Sequence, residues 1–157
     1  MSSVEQRVGV LEDIEAIKQL KGRYCAACDG GWEGPTHDAE ALAAMFAEDA
    51  VFAEHGGGEP ARGRAEIAAM MGNFRAALPF GVHFITNDRV TVDGDRAEGR
   101  WYVLIPAVLD GKSVCYGGIY RDELVRGEDG WRFSEVNYRT VFLTENQAGW
   151  NPGGQGA

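Results

Sequence analysis

His83 sits in the middle of an alternating run, PheGlyValHisPheIleThrAsnAspArgVal, at 80–90. Alternation at period two reads as a strand. It puts Val82, Phe84 and Thr86 on one face and His83, Ile85 and Asn87 on the other. An imidazole facing a closed cavity can act as a base near neutral pH, and Asn87 on the same face could bind substrate. The residues alone leave a second reading open, a structural histidine bonded to backbone. Asp29 follows a helical pattern, so its carboxylate faces the negative end of the helix dipole, at a cost of roughly half a kcal/mol. Either Asp29 is solvated in a turn, or a cation or imidazolium offsets that cost.

The whole chain bounds what such groups can serve. At 157 residues it is about one domain and long enough for a real core. The formal charge of −9 argues against nucleic acid or anionic lipid as partner, since both need clustered Lys and Arg. No apolar run approaches the roughly 20 residues of a membrane span, and MetSerSerValGluGlnArg has no apolar signal region. Three cysteines without framework spacing fit a reducing cytoplasm.

The elements that must position His83 and Asp29 read as follows. Residues 1–10 form a polar lead-in. Leu11, Ile14, Ile17, Leu20, Tyr24 and Cys28 predict a helix over 11–28, stopped by Gly30 and Gly31. A loop spans 32–36, a short helix 38–47 and a strand 50–54, followed by a turn at HisGlyGlyGly (55–58). A third helix over 65–78 buries Ile67, Met70, Met71 and Phe74. AspGlyAsp (93–95), AspGlyLys (110–112) and GluAspGly (128–130) are hairpin signals between strands at 82–92, 96–109, 112–125 and 131–143. Helices followed by long hairpin-joined strands make an α+β domain over 11–144, a curved antiparallel sheet wrapped around the first and third helices. The Gly-rich tail, 145–157, is either a loose end or a flap over a cavity.

GluAlaIleLysGlnLeuLysGlyArgTyr with Asp29, LeuAlaAlaMetPheAlaGluAspAlaValPhe (42–52), GlyArgAlaGluIle (63–67), HisPheIleThrAsn (83–87) and GluValAsnTyrArgThrValPhe (135–142) occur in a familiar order. Together they resemble the SnoaL-like branch of the nuclear transport factor 2-like superfamily, over most of residues 11–143. The resemblance implies the cone-shaped, cystatin-like α+β barrel of that superfamily. It also implies dimers or trimers, and an activity like that of the branch's dehydratases and dehydrochlorinase. There, a strand histidine pairs with an aspartate at the end of the first helix; His83 and Asp29 match them. Tyr24 matches a polar helix residue and Arg139 a late-strand arginine. The segment 30–37 is longer than the usual connection.

A histidine held by a carboxylate has one tautomer fixed. Such a pair can take a proton from beside a carbonyl, or a phenolic or benzylic proton. A Tyr or Arg can then hold a developing oxyanion or protonate a leaving hydroxyl. His83 is thus expected as base, Asp29 as its orienting group, Tyr24 as donor and Arg139 as oxygen holder. Tyr24 is equally a packing residue and Arg139 equally a surface cation. Tyr102 and Tyr116 are candidate inward tyrosines, with Tyr138 a further strand tyrosine; a one-residue slip of register reverses the face. Trp101, Phe84 and Phe133 read as core or interface. Cys25-Ala-Ala-Cys28 lies near a helix C-terminus, the wrong end to activate a thiol, and reads as structural. Glu54-His55 and His37-Asp38 each offer two ligands, short of a metal set. Gly56–Gly58 lacks the context of a phosphate loop. No metal or cofactor is expected.

The reading that follows is a cofactor-independent lyase on a small apolar aromatic, polyketide or steroid-like molecule, with loss of water, formaldehyde or hydrogen halide. An isomerase using the same base, or a non-catalytic ligand-binding or assembly module, are the alternatives.

Overall fold

The computed structural model describes residues 3–31, 39–55 and 57–150. The expected loop at 32–36, the pair His37-Asp38, Gly56 and the end of the tail from 151 lie outside the described residues. Helix α1 runs Val4–Cys28, so the helix takes in most of the expected lead-in. Ser3 and Gln6 form a reciprocal capping box at its start, each side chain accepting from the other's backbone N–H. Val4, Val8 and Leu11 stay exposed, so this first part of the helix rests on its cap more than on burial. Helix α2 is shorter than expected, Ala39–Ala43, because the chain turns at Met45 and enters β1, Phe46–His55, four residues early. Strand β2 (Ala61–Arg62) and helix α3 (Gly63–Ala77) follow, then β3 (Phe80–Gly81), β4 (Phe84–Asp93), β5 (Arg96–Leu109), β6 (Lys112–Gly127) and β7 (Gly130–Glu145).

These strands make one seven-stranded sheet in the order β2-β1-β7-β6-β5-β3, with β4 also on β5. The meander β4 to β7 is antiparallel throughout, as its turn residues predict. The sheet as a whole is mixed, because β1 runs parallel to β7. That pairing joins the two ends of the sheet-forming sequence, and no local turn signal can announce it.

Helix α1 fills the hollow of the curled sheet. Ile17, Leu20 and Tyr24 are buried with Phe46, Trp101, Leu124 and Phe133. Tyr24 meets Phe133 edge-on at 5.5 Å between ring centres. One charge pair is sealed in this core: Lys21 Nζ lies 2.7 Å from Asp122 Oδ2, with side chains 1% and 0% exposed. At the far end, Trp150 is held on the β5–β6 hairpin. Its backbone N–H donates to Ser113 Oγ, and its indole N–H to the carbonyls of Ala107 and Val114. The part of the tail up to Trp150 is therefore fastened to the sheet. No helix among the described residues is long and apolar enough to cross a membrane.

Candidate active site

Asp29 and His83 meet because the backbone beside each is stitched together. Asp29 is the C-cap of α1, in extended conformation. The next residue, Gly30, exchanges two backbone hydrogen bonds of 3.0 Å with Gly81 of β3. Gly31 then turns left-handed at φ 76°. A Cβ there would press on Pro79 O and the Phe80 ring, both at 3.1 Å, so glycine permits this close approach. His83 lies two residues past Gly81. Its backbone N–H donates to Asp29 Oδ1 at 2.8 Å, and its Nδ1 lies 2.7 Å from the same oxygen. The helix-end cost of this carboxylate is thus offset by two close polar contacts from His83. With Asp29 ionised, Nδ1 carries the proton and Nε2 keeps the lone pair.

His83 lines a cavity of about 190 Å³ between the sheet, α1, α2 and α3. Leu42, Phe52, Met71, Leu78 and Ile105 supply apolar wall. The polar lining comes from Glu54 and the phenols of Tyr24, Tyr116, Tyr120 and Tyr138. Burial pushes the Tyr24 and Tyr120 phenols up, so both stay protonated donors at neutral pH. Burial also raises the Glu54 carboxyl. Cys28 lines the cavity too. Burial pushes the Cys25 thiol up to about 12 and the Cys28 thiol higher still, which keeps both as thiols, as their helix end predicts.

The structure puts His83, Tyr24 and Tyr116 on the cavity wall, with Asp29 against His83, and sends three other candidates elsewhere. Arg139 is exposed on the outer face of β7, while its neighbour Tyr138 points into the cavity. Its guanidinium therefore cannot hold an oxygen inside. Tyr102 is likewise outward, 41% exposed, with its hydroxyl accepting from Arg100. Asn87 sits at a bulge in β4, with φ 55°, and its side chain is exposed, accepting from Thr86 Oγ1. The bulge breaks the alternation that would have placed Asn87 beside His83. Val82 and Phe84 also fail to share a face: Val82 is 8% exposed and Phe84 51%, because regular strand begins only at Phe84.

The inward residues missed from sequence are Glu54, Tyr120 and Tyr138. The signal for Glu54 was present: it lies two residues after Phe52 on β1, hence on the same face. Tyr116, Gly118 and Tyr120 alternate in the same way on β6.

Comparison with known proteins agrees with this architecture. An NTF2-like protein with a cystatin-like fold from Novosphingobium aromaticivorans superposes with TM-score 0.75 at 30% identity, over 90% of this chain and 92% of that one. A proposed aromatic ring hydroxylase from the same organism gives 0.77 at 33%, over 88% and 96%. The hexachlorocyclohexane dehydrochlorinase LinA-type3 of Novosphingobium barchaimii gives 0.80 at 22%, over 90% and 96%, a likeness of fold. Uncharacterised mycobacterial relatives are 38% identical over 69 residues, 44% of their length. The family model that describes a SnoaL-like domain matches residues 9–137, and the chain belongs to that family.

Proposed function

We propose that this chain is a cofactor-independent lyase that eliminates water or another small fragment from a compact, largely apolar molecule. The observation that carries the reading is the imidazole on the cavity wall with its Nδ1 2.7 Å from a carboxylate oxygen. In this reading His83 Nε2 takes a proton from carbon. The electron pair left behind forms the double bond, and the leaving oxygen departs with its own bonding pair and a proton from a phenol. Asp29 orients the ring and faces the imidazolium that forms. With Arg139 outside, the donor role falls to a tyrosine. Tyr24 is the candidate closest in sequence to the pair, and its phenol stays protonated. The volume narrows the substrate. A cavity of roughly 150 Å³ admits benzene, so about 190 Å³ favours a molecule of one or two rings over a steroid-sized one. The names of structural neighbours, a dehydrochlorinase and a proposed aromatic ring hydroxylase, are compatible with a ring-shaped occupant.

The test is a screen of one- and two-ring hydroxylated compounds, read by mass spectrometry for loss of water or a one-carbon fragment. His83→Ala should lower kcat by about 100- to 10,000-fold. Turnover that survives this substitution removes His83 from the mechanism. Unchanged mass with a moved double bond identifies an isomerase instead.

A further inference from the structure

Away from His83, the cavity has a second polar wall that the elimination does not use. Glu54 on β1, Tyr138 on β7 and Tyr116 on β6 all line it. Sheet register sets the first two side by side: Glu54 and Tyr138 are direct partners across the parallel β1–β7 pair. The Tyr138 ring leans along β6 over Gly118, where any Cβ would collide with the ring edge and the hydroxyl. Gly118 therefore leaves the space that this phenol occupies. Tyr138 is only 8% exposed, and its hydroxyl has no close hydrogen-bond partner among the described residues, with the Thr140 side chain only near enough to ease its titration. Buried hydroxyls are rarely left so, because the lost contact with water is not replaced. Burial, and then the Glu54 carboxylate, push the Tyr116 phenol up. Burial does the same to Tyr138, eased by the neighbouring Thr140 side chain, with Glu54 adding to the rise. Acid and phenols therefore belong to one patch. In the sheet order, β7 and β6 separate β1 from β5, and it is against β5 that the His83 segment packs. Glu54 on β1 and Tyr138 on β7 are thus set apart from the base, and Tyr116, whose partner on β5 is Ile105, lies between them and it.

We propose that Glu54, Tyr116 and Tyr138 form a second polar subsite that takes a hydroxyl group of the substrate at the end away from His83. A hydroxyl suits both main partners at once. It donates to the Glu54 carboxylate and accepts from the Tyr138 phenol. The occupant is then a ring compound with oxygen functions at both ends, one reacting and one held. This assignment rests on His83 marking the reacting end.

Calorimetric titration with naphthalene-2,6-diol and with 2-naphthol tests it. The wild type should bind the diol at least tenfold more tightly than the mono-alcohol. Tyr138→Phe and Glu54→Ala should each bring the diol down to the mono-alcohol's affinity. Tyr138→Phe removes a hydroxyl whose one protein neighbour of note is the Thr140 side chain, so its melting temperature should stay near that of the wild type, and it alone decides if Glu54→Ala does not fold. Lack of a diol advantage in the wild type, or its survival in either folded variant, overturns the subsite. Binding needs no turnover, so the base assignment is judged separately. If His83→Ala still turns over a screened substrate while the diol advantage follows Tyr138, the base is lost and the subsite stands.

Discussion

Lys21 occupies a position that helical spacing gives to the core, four residues after Ile17 and three before Tyr24. Its ammonium sits 3.4 Å from the centre of the Tyr120 ring and 4.5 Å from that of Tyr24, with Asp122 as its charged partner. Removing one member of such a pair leaves the other charge buried, at a cost of about 3–5 kcal/mol. Lys21→Met should therefore lower unfolding free energy by that order. The double variant Lys21→Met with Asp122→Asn should recover a large part of it in urea titrations. Equal losses in both would mean that the pair acts by packing alone. The pH dependence has an unusual sign. Burial pushes the Asp122 carboxyl from 3.8 up to about 6, with Lys21 pulling the other way. Between roughly pH 4 and pH 6 the folded chain keeps a proton that the unfolded chain has released. This group's contribution to stability thus falls as pH rises through the window and is level above it. The difference in unfolding free energy between wild type and Asp122→Asn should decline from pH 4 to pH 6. A constant difference would show that burial does not shift this carboxyl. At this scale the sequence was readable where a residue's cost had a local cause, as with Asp29 at a helix end. It was unreadable where one residue of register decides the face, as with Arg139 and Tyr138.

Elements were legible in proportion to how local their signals are. The strands β4 to β7 follow from turn residues, and Asp110 with Gly111 adopts the left-handed conformations, φ 50° and 76°, that a tight hairpin needs. The start of α1 was missed because Val4, Val8 and Leu11 form no buried stripe, although Ser3 and Gln6 spell a capping box. The Gly30–Gly81 bridge that brings Asp29 to His83 depends on two distant glycines and had no sequence signature. Close approach also governs β5. Gly99 and Trp101 share its inner face, and a Cβ at Gly99 would overlap the Trp101 indole. Trp101 is 1% exposed, and its ring stands 5.0 Å from the Lys21 ammonium, so it has little room to move aside. Gly99→Ala should therefore cost about 1–3 kcal/mol as an overpacked core. The expected readout is a lower urea midpoint with an altered near-ultraviolet dichroism of the indoles. An unchanged midpoint would show that β5 can bend to accept the methyl.

Among the described residues, the inner face of the sheet holds the buried core and the cavity, and the outer face leaves large apolar side chains exposed. Phe84 pairs with Leu104, Leu104 with Gly117, and Gly117 with Phe142, so one apolar row crosses β4, β5, β6 and β7. Phe84, Leu104 and Phe142 are each about half exposed, and the Phe142 ring covers Gly117. Exposed apolar groups that continue across adjacent strands mark an interaction surface more than scattered ones do. We propose a second copy of this chain as its cover, because two-fold pairing would set the same row against itself. The charge works against this. Two chains of net charge −9 repel, so association should tighten as salt screens them. In sedimentation velocity, the wild type should run heavier than a 17.0 kDa monomer, and more so at about 0.5 M salt than at about 0.05 M, where the screening length is several-fold longer. Leu104→Glu with Phe142→Glu should run as the monomer under both conditions. The cavity should survive in that variant, since both side chains lie on the opposite face from His83 and its lining. A wild type that stays monomeric at high salt would leave the row without a partner of its own kind.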